Sequence, residues 1–255
     1  MPESSEILYL KTLLSKEIKN HKLLEIEKDN KIIKIDETIK EIGCKGKLLW
    51  LELENEKYVE IHLGLTGWLY FDNDEGYIRT IIKIDGNKTL YMADKINLGE
   101  VKLVKKDEHN KRVEKLGVYI FDEEFTEEKF EEIVKSKKKI ISNLLMDQNM
   151  IAGIGNYIRN EALYLSGIDP KIKSNKITDD KINDLYDNIL FVAYSVLMTY
   201  LKDDKIKKNL EEKYKKNMPK NLEVPYNMKI YGKEKVGNKN VKIIKISGRD
   251  TYILE

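Results

Sequence analysis

Hydrophobic and polar positions change their period twice along the chain. From Ser4 to about Lys19, the residues Ile7, Leu10, Leu13, Leu14 and Ile18 recur at helical spacing and predict one amphipathic helix. Ser4 or Ser5 can cap it, acidic residues occupy its first turn, and Asn20-His21 ends it. From about Leu23 to Phe121 the pattern becomes short alternating runs separated by turns. The clearest are Leu48 to Leu53, Val59 to Leu65, Ile78 to Ile84 and Thr89 to Met92. In the second run, Val59, Ile61, Leu63 and Leu65 share one face, while Tyr58, Glu60 and His62 share the other. Asp85-Gly86-Asn87 is a hairpin signal. This half reads as a β-sandwich or barrel preceded by one helix.

Around Asp122 the helical period returns. Thr126 caps a helix over Glu127 to Ser136, and three more are expected over Lys139 to Met146, Gly155 to Ser166 and Asp179 to Lys202. Leu185, Ile189, Val192, Val196 and Tyr200 form the apolar stripe of the last. Lys202 to Asn227 is charged and contains Pro219 and Pro225, so it reads as a frayed helix end and a linker. Met228 to Tyr231 and Val241 to Ile246 then read as two strands of a basic ribbon, joined through Gly237-Asn238-Lys239-Asn240. No internal repeat is visible. The expectation is an α+β chain with two domains, 1–122 and 123–255.

Composition narrows the class. The chain has 255 residues, 41% hydrophobic and 35% charged, enough for one large or two modest cores. No apolar run approaches the roughly 20 residues that span a bilayer, so no membrane role is expected. No basic-then-apolar leader stands at the start, which gives an intracellular expectation: cytoplasmic in a bacterium, nuclear or in a viral factory otherwise. Cys44 is the single cysteine, which excludes a disulfide framework and a multi-cysteine zinc site; no metal and no cofactor are expected. Net charge is only +2, but Lys202 to Asp250 holds 15 basic and 7 acidic residues, leaving the remainder at −6. Such asymmetry fits phosphate neutralisation, although a chain rich in Lys, Asn and Ile would also produce it.

Two features carry chemistry. If Met1 is removed, Pro2 presents a secondary amine with a pKa near about 8, partly unprotonated at neutral pH. Condensed with a ring-opened sugar, it gives an iminium that stays cationic and acts as an electron sink. Glu3 and Glu6 lie where carboxylates can move protons beside that amine, although first-turn acids ordinarily just offset the helix dipole. The second feature is Gly153-Ile154-Gly155-Asn156, where one helix ends and another begins. Glycines there let a phosphate approach unpaired N–H groups; an ordinary helix hairpin gives the same pattern.

Taken in order, Pro2-Glu3 with Glu6, Ile61-His62-Leu63-Gly64-Leu65-Thr66-Gly67, Gly153-x-Gly155-Asn156 with Glu161, and Gly248-Arg249-x-Thr251-Tyr252 resemble the formamidopyrimidine-DNA glycosylase and endonuclease VIII family. The likeness runs over nearly the whole chain, and the cysteine-free tail is similar to the branch with a zincless finger. The resemblance implies a β-sandwich domain and a helix-two-turns-helix domain around a DNA cleft, acting as a monomer on damaged double- or single-stranded DNA. It implies a bifunctional glycosylase and abasic-site lyase, with Pro2 as nucleophile, Glu3 as proton donor and acceptor, Glu6 as supporting carboxylate and Lys47 reaching phosphate. Asn156 and the Gly155 amide would clamp phosphate, and Arg249 would grip phosphates flanking the extruded nucleotide. Leu65 matches one residue that fills the gap in the duplex. The other two positions carry Ile96 and Leu98 where the family usually has arginine and phenylalanine, so weak discrimination of the opposite base is expected. Ser4-Ser5 also departs from the family's pattern. A catalytically silent damage binder is the alternative, and a non-enzymatic nucleic-acid module is a more distant one. His62, Cys44, Trp50 and Trp68 read as structural.

Overall fold

The structure, a computed structural model, describes residues 2–255. The chain divides into two compact units, Met1–Lys115 and Leu116–Glu255.

The first unit opens with α1 (Ser4–Glu17), followed by β1 (Lys22–Lys28), β2 (Lys31–Lys45), β3 (Leu48–Leu53), β4 (Lys57–His62), β5 (Trp68–Tyr70), β6 (Ile78–Ile84), β7 (Lys88–Ala93), β8 (Glu100–Lys105) and α2 (Lys106–Glu114). The strands are antiparallel, in the order β5-β7-β6-β1-β2-β3-β4-β8. The long β2 belongs to two sheets. Lys31 to Thr38 pairs with β1, and Ile39 to Lys45 pairs with β3. The switch is marked by register breaks at Leu23/Glu25 and Ile39/Glu41, where bulges let a strand turn a corner. Inner-face residues of both halves, such as Ile26, Ile82 and Leu90 with Leu49, Leu51 and Ile61, share one core with Ile7, Leu10, Leu14 and Ile18 of α1. The result is the expected sandwich preceded by a helix.

One expectation changes here. Glu3, not Ser4 or Ser5, occupies the N-cap of α1; both serines are buried in its first turn. The outer face of β4 is covered too. α2 covers it, burying Tyr58 and Glu60, with His109 stacked on Tyr58 at 4.0 Å between ring centroids and bonded to Glu60 Oε1 at 2.9 Å. Arg112 pairs with the other Glu60 oxygen. Trp50 packs edge-on to His109, and its indole lies where a side chain on Gly43 would be.

The second unit contains β9 (Val118–Tyr119), α3 (Glu127–Ser136), α4 (Ile141–Leu145), β10 (Ile151–Ala152), α5 (Asn156–Leu165), α6 (Asp179–Tyr200), α7 (Asp204–Tyr214), β11 (Lys235–Val236), β12 (Lys239–Ile246) and β13 (Arg249–Leu254). A single 3₁₀ turn covers Ser174–Lys176. Thr126 caps α3 as its position predicts, accepting from Lys129 N at 3.2 Å. Phe121, Phe125, Phe130, Tyr186 and Tyr194 build an aromatic core under α6. The charged segment after α6 is not a linker throughout. Asp203 caps α7 through bonds from Lys205 N and Ile206 N, and Leu210 anchors it. The tail also pairs differently from the expected ribbon. β12 pairs with β13 around Ser247-Gly248, both with positive φ, while β11 pairs with the start of β12 around Gly237. Met228 to Tyr231 forms no strand. No helix among the described residues is long and apolar enough to cross a membrane.

Candidate functional site

At the start of α1, Glu3 and Glu6 cap each other reciprocally. The Glu3 amide donates to Glu6 Oε2 at 2.9 Å, and the Glu3 side chain accepts from the Glu6 backbone. Pro2, Glu3 and Glu6 are all buried. The first helical turn thus fixes the carboxylate of Glu3 next to the residue bearing the expected nucleophile. A carboxylate has about four lone-pair sites, so capping leaves it able to exchange protons.

Lys47 follows Gly46 in the β2–β3 turn, and the structure sets it near His62 at the end of β4. His62 Nδ1 accepts from the Gly64 amide at 3.2 Å, so the ring proton resides on Nε2. Desolvation holds its pKa below the usual 6.5, the charge of Lys47 lowers it further, and Glu100 opposes both. The pair therefore sets a lysine beside an imidazole whose protonation that lysine disfavours. Sequence reading took His62 as structural. Its adjacency to Lys47 comes from β3–β4 pairing, which opposes Leu48 to His62 and is invisible in local spacing.

Leu65, Ile96 and Leu98 come together on two neighbouring loops, and all three are exposed. β4 stops at His62, so Leu65 leaves the buried face to which alternation assigned it. Gly64 makes the turn with φ +64°, its Cα set so closely on the Leu98 backbone that a Cβ would lie 2.7 Å from the Leu98 carbonyl carbon. Asp94 ties the loops together. One carboxylate oxygen accepts from the Thr66 hydroxyl and from Ile96 N at 3.3 Å, and the other accepts from Gly99 N at 2.6 Å. Burial would raise the Asp94 pKa, but the bonds from Thr66, Gly99, Ile96 and Leu98 outweigh it and hold it below 3.8. An ionised clasp thus presents three aliphatic side chains to solvent.

In the second unit, the glycine turn leads into α5 with Gly155 at its N-cap. Gln148 rigidifies the turn, accepting from Gly153 N at 2.9 Å and donating to the Ile154 carbonyl at 2.8 Å. The polar face of α5 meets the finger hairpin. The Asp250 carbonyl accepts from Asn156 Nδ2 at 3.1 Å, from Arg159 Nη2 at 2.8 Å and from Asn160 Nδ2 at 3.3 Å. Tyr252 N donates to Asn160 Oδ1 at 2.9 Å. Asn156 is therefore the residue that joins the turn to the hairpin, and it brings Gly155 and Asn156 close to Arg249. Arg249 follows Gly248 at the exposed hairpin tip. Together with Lys139, Asn143, Asp147, Arg159 and Ser247 it lines a groove of about 490 Å³. Lys139 and Asp147 pair at 2.8 Å, so the basic side chains exceed the acids there.

Glu161, part of the glycine-turn motif, has a task that its place in the sequence does not reveal. It is fully buried and accepts from Tyr226 Oη at 2.6 Å and from the amides of Lys229, Ile230 and Tyr231 at 2.6, 2.8 and 2.7 Å. These bonds replace the strand expected over Met228 to Tyr231 and anchor the approach to the hairpin.

Residues 1–101 match the formamidopyrimidine-DNA glycosylase N-terminal domain, and residues 116–208 match the formamidopyrimidine-DNA glycosylase H2TH domain. The formamidopyrimidine-DNA glycosylase of Ligilactobacillus salivarius is 28% identical over 207 residues, 74% of this chain and 75% of that protein. That of Pelotomaculum thermopropionicum is 30% identical over 190 residues, 71% and 66% respectively. Among solved structures, the MutM (Fpg) protein of Thermus thermophilus has a TM-score of 0.80 at 22% identity, over 98% of this chain and 96% of that one. Lactococcus lactis Fpg, in complex with abasic-site DNA, has a TM-score of 0.78 at 22% identity, over 99% and 98%. With both domain signatures in order, the sandwich and hairpin fold in common and no cysteine in the hairpin, the chain belongs to the formamidopyrimidine-DNA glycosylase family, with a finger of the zincless kind.

Proposed function

We propose that the protein is a bifunctional DNA glycosylase and abasic-site lyase that excises oxidised pyrimidines and ring-opened purines. The observation that carries this reading is Pro2-Glu3 at the start of α1, with the Glu3 carboxylate set by the reciprocal cap. The Pro2 nitrogen attacks C1′ of the damaged nucleotide, the N-glycosidic bond breaks, and the base leaves with a proton that Glu3 can supply. The C1′–O4′ bond then breaks, O4′ takes up a proton, and the ring-opened iminium acidifies C2′–H. Loss of that proton expels the 3′-phosphate, and a second elimination expels the 5′-phosphate, leaving a one-nucleotide gap. Lys47 with His62, and Arg249 with the Gly155-Asn156 turn, supply cationic and N–H groups of the kind that hold phosphates. The aliphatic side chains of Leu65, Ile96 and Leu98 suit the space vacated by an extruded base.

Borohydride trapping tests the reading. The protein with Pro2 as its first residue should form a covalent adduct with an abasic oligonucleotide. An N-terminal extension turns the same nitrogen into an amide without nucleophilicity, and should abolish the adduct while leaving DNA binding. Binding without an adduct in both forms would make the chain a silent damage binder instead.

A further inference from the structure

A second set of basic residues lies outside the groove but is continuous with it. Two segments of the second unit are stitched together there. Ser174 N donates to the Lys139 carbonyl at 2.8 Å, Ser174 Oγ to the Lys137 carbonyl at 2.6 Å, and Ile141 N to the Ile172 carbonyl at 2.9 Å. Ile140 and Lys173 form an antiparallel bridge. Ser174 is fully buried, so this seam is part of the fold. It gathers Lys137 and Lys138 from one segment with Lys171, Lys173 and Lys176 from the other. All but the half-buried Lys137 are exposed. The lysines flanking the first segment are neutralised: Lys135 by Glu131 and Asp179, and Lys139 by Asp147. Among the described residues, no ion pair engages any of the five gathered lysines; the exposed Asp169 accepts from Lys171 N at 2.9 Å, and Asp147, paired with Lys139, lies within electrostatic reach of Lys137. Lys139 and Ile140 line the groove of Arg249, so the lysine cluster begins where that groove ends.

We propose that this cluster is a second phosphate-contact surface, which holds the DNA backbone beyond the nucleotides gripped at the groove. It takes duplex phosphates without regard to sequence or damage, because lysine is a compact point charge and the amide among them, Asn175, is half-buried with its Oδ1 turned away from solvent. Un-neutralised lysines gathered by a rigid seam suit a repeating line of phosphates. Their contribution is counterion release, which raises affinity for long DNA and leaves the chemical step alone. The inference rests on the reading of the chain as a DNA enzyme.

The test compares the wild type with a variant carrying Lys138→Gln, Lys171→Gln, Lys173→Gln and Lys176→Gln, and with one carrying arginine at the same four positions. Binding is measured against salt on undamaged duplexes of one and of three helical turns, and borohydride trapping on a one-turn abasic duplex. Each phosphate contact adds about 0.9 to the slope of log K against log salt, so the glutamine variant should lose up to about 3.6 on the long duplex. It should lose little on the short one and trap at the wild-type rate, and the arginine variant should retain the wild-type slope. Equal slopes for the wild type and the glutamine variant on the long duplex, with trapping intact, overturn the surface and leave the enzyme reading standing. A lowered slope without any trapping overturns the enzyme reading and leaves the surface. Absence of both binding and trapping in the wild type overturns both.

Discussion

Arg159, on the first turn of α5, donates from Nη2 to the carbonyl of Asp250 at 2.8 Å, one residue beyond the exposed Arg249 of the hairpin tip. The same nitrogen reaches Thr251 Oγ1 at 2.9 Å, and the side chain is fully buried. Arg159 therefore fixes where Arg249 stands. Replacement by Met keeps much of the volume and removes the charge-assisted bonds. Arg159→Met should cost about 2–3 kcal/mol of stability. It should also lower affinity for abasic DNA by about as much as Arg249→Ala, which touches no buried bond. Urea unfolding and DNA titration measure the two effects; wild-type affinity in Arg159→Met would show that the hairpin holds its place without it.

Glu161 offers a second test of how the finger is held. Its two oxygens accept from one hydroxyl and three amides of residues 226–231. Glu161→Gln turns one acceptor into an NH₂ group facing N–H donors, and should cost about 3 kcal/mol because buried donors lose their partner. Amide hydrogen exchange at Lys229, Ile230 and Tyr231 should accelerate ahead of the core of α6. Unchanged protection at those three amides would contradict the anchoring role.

These polar anchors also explain which parts of the fold could be read in advance. α1, β3, β6 and α3 follow from strong periods, and α3 also from a side-chain cap; the observed limits of β3, β6 and α3 are those the pattern predicts. α2 is hidden because Lys106 to Glu114 holds only one aliphatic residue, Val113, and its buried residue is His109, whose partner Glu60 lies 49 positions away. The hairpin register was misplaced because Ile243 and Ile244 alternate in the same way whether the turn falls at Gly237 or Gly248. Pro2, the glycine turn and Arg249 stand out through their order along the chain, and the structure places the turn at the N-cap of α5 and Arg249 at the hairpin tip. The bonds from Arg159, Asn160 and Glu161 do not, since a buried polar face of α5 has no hydrophobic period to betray it.

Asp94 makes a prediction about pH. Its pKa is lowered in the folded chain, so its ionised clasp contributes stability that is fully present above the ordinary value of 3.8 and is lost as pH falls through the lower folded value. Asp94→Asn should therefore be less stable than the wild type at neutral pH, with the gap constant above about pH 5 and closing in the acid range below it. Denaturant unfolding of both proteins from pH 7 down to pH 3 measures the gap. A difference that persists unchanged to pH 3 would mean that the carboxylate charge is not what holds the two loops.

The same clasp sets what the loops can tell about the opposite strand. Leu65, Ile96 and Leu98 are 38%, 46% and 57% exposed, and none carries a donor, an acceptor or a ring. An aliphatic group can fill a vacated stack, but it cannot hydrogen-bond an orphaned base, and such bonds supply about 1–3 kcal/mol of discrimination per good pair. Excision rates opposite the four bases should therefore agree within about three-fold, far less than one such bond would give. Single-stranded substrates, where extrusion costs less, should be favoured relative to duplex. Ile96→Arg places five N–H donors on the loop that Asp94 fixes, and should widen the spread between opposite bases without changing trapping on single-stranded abasic DNA. Single-turnover rates on matched duplexes decide the matter: a strong preference of the wild type for one opposite base would show that another side chain reads it.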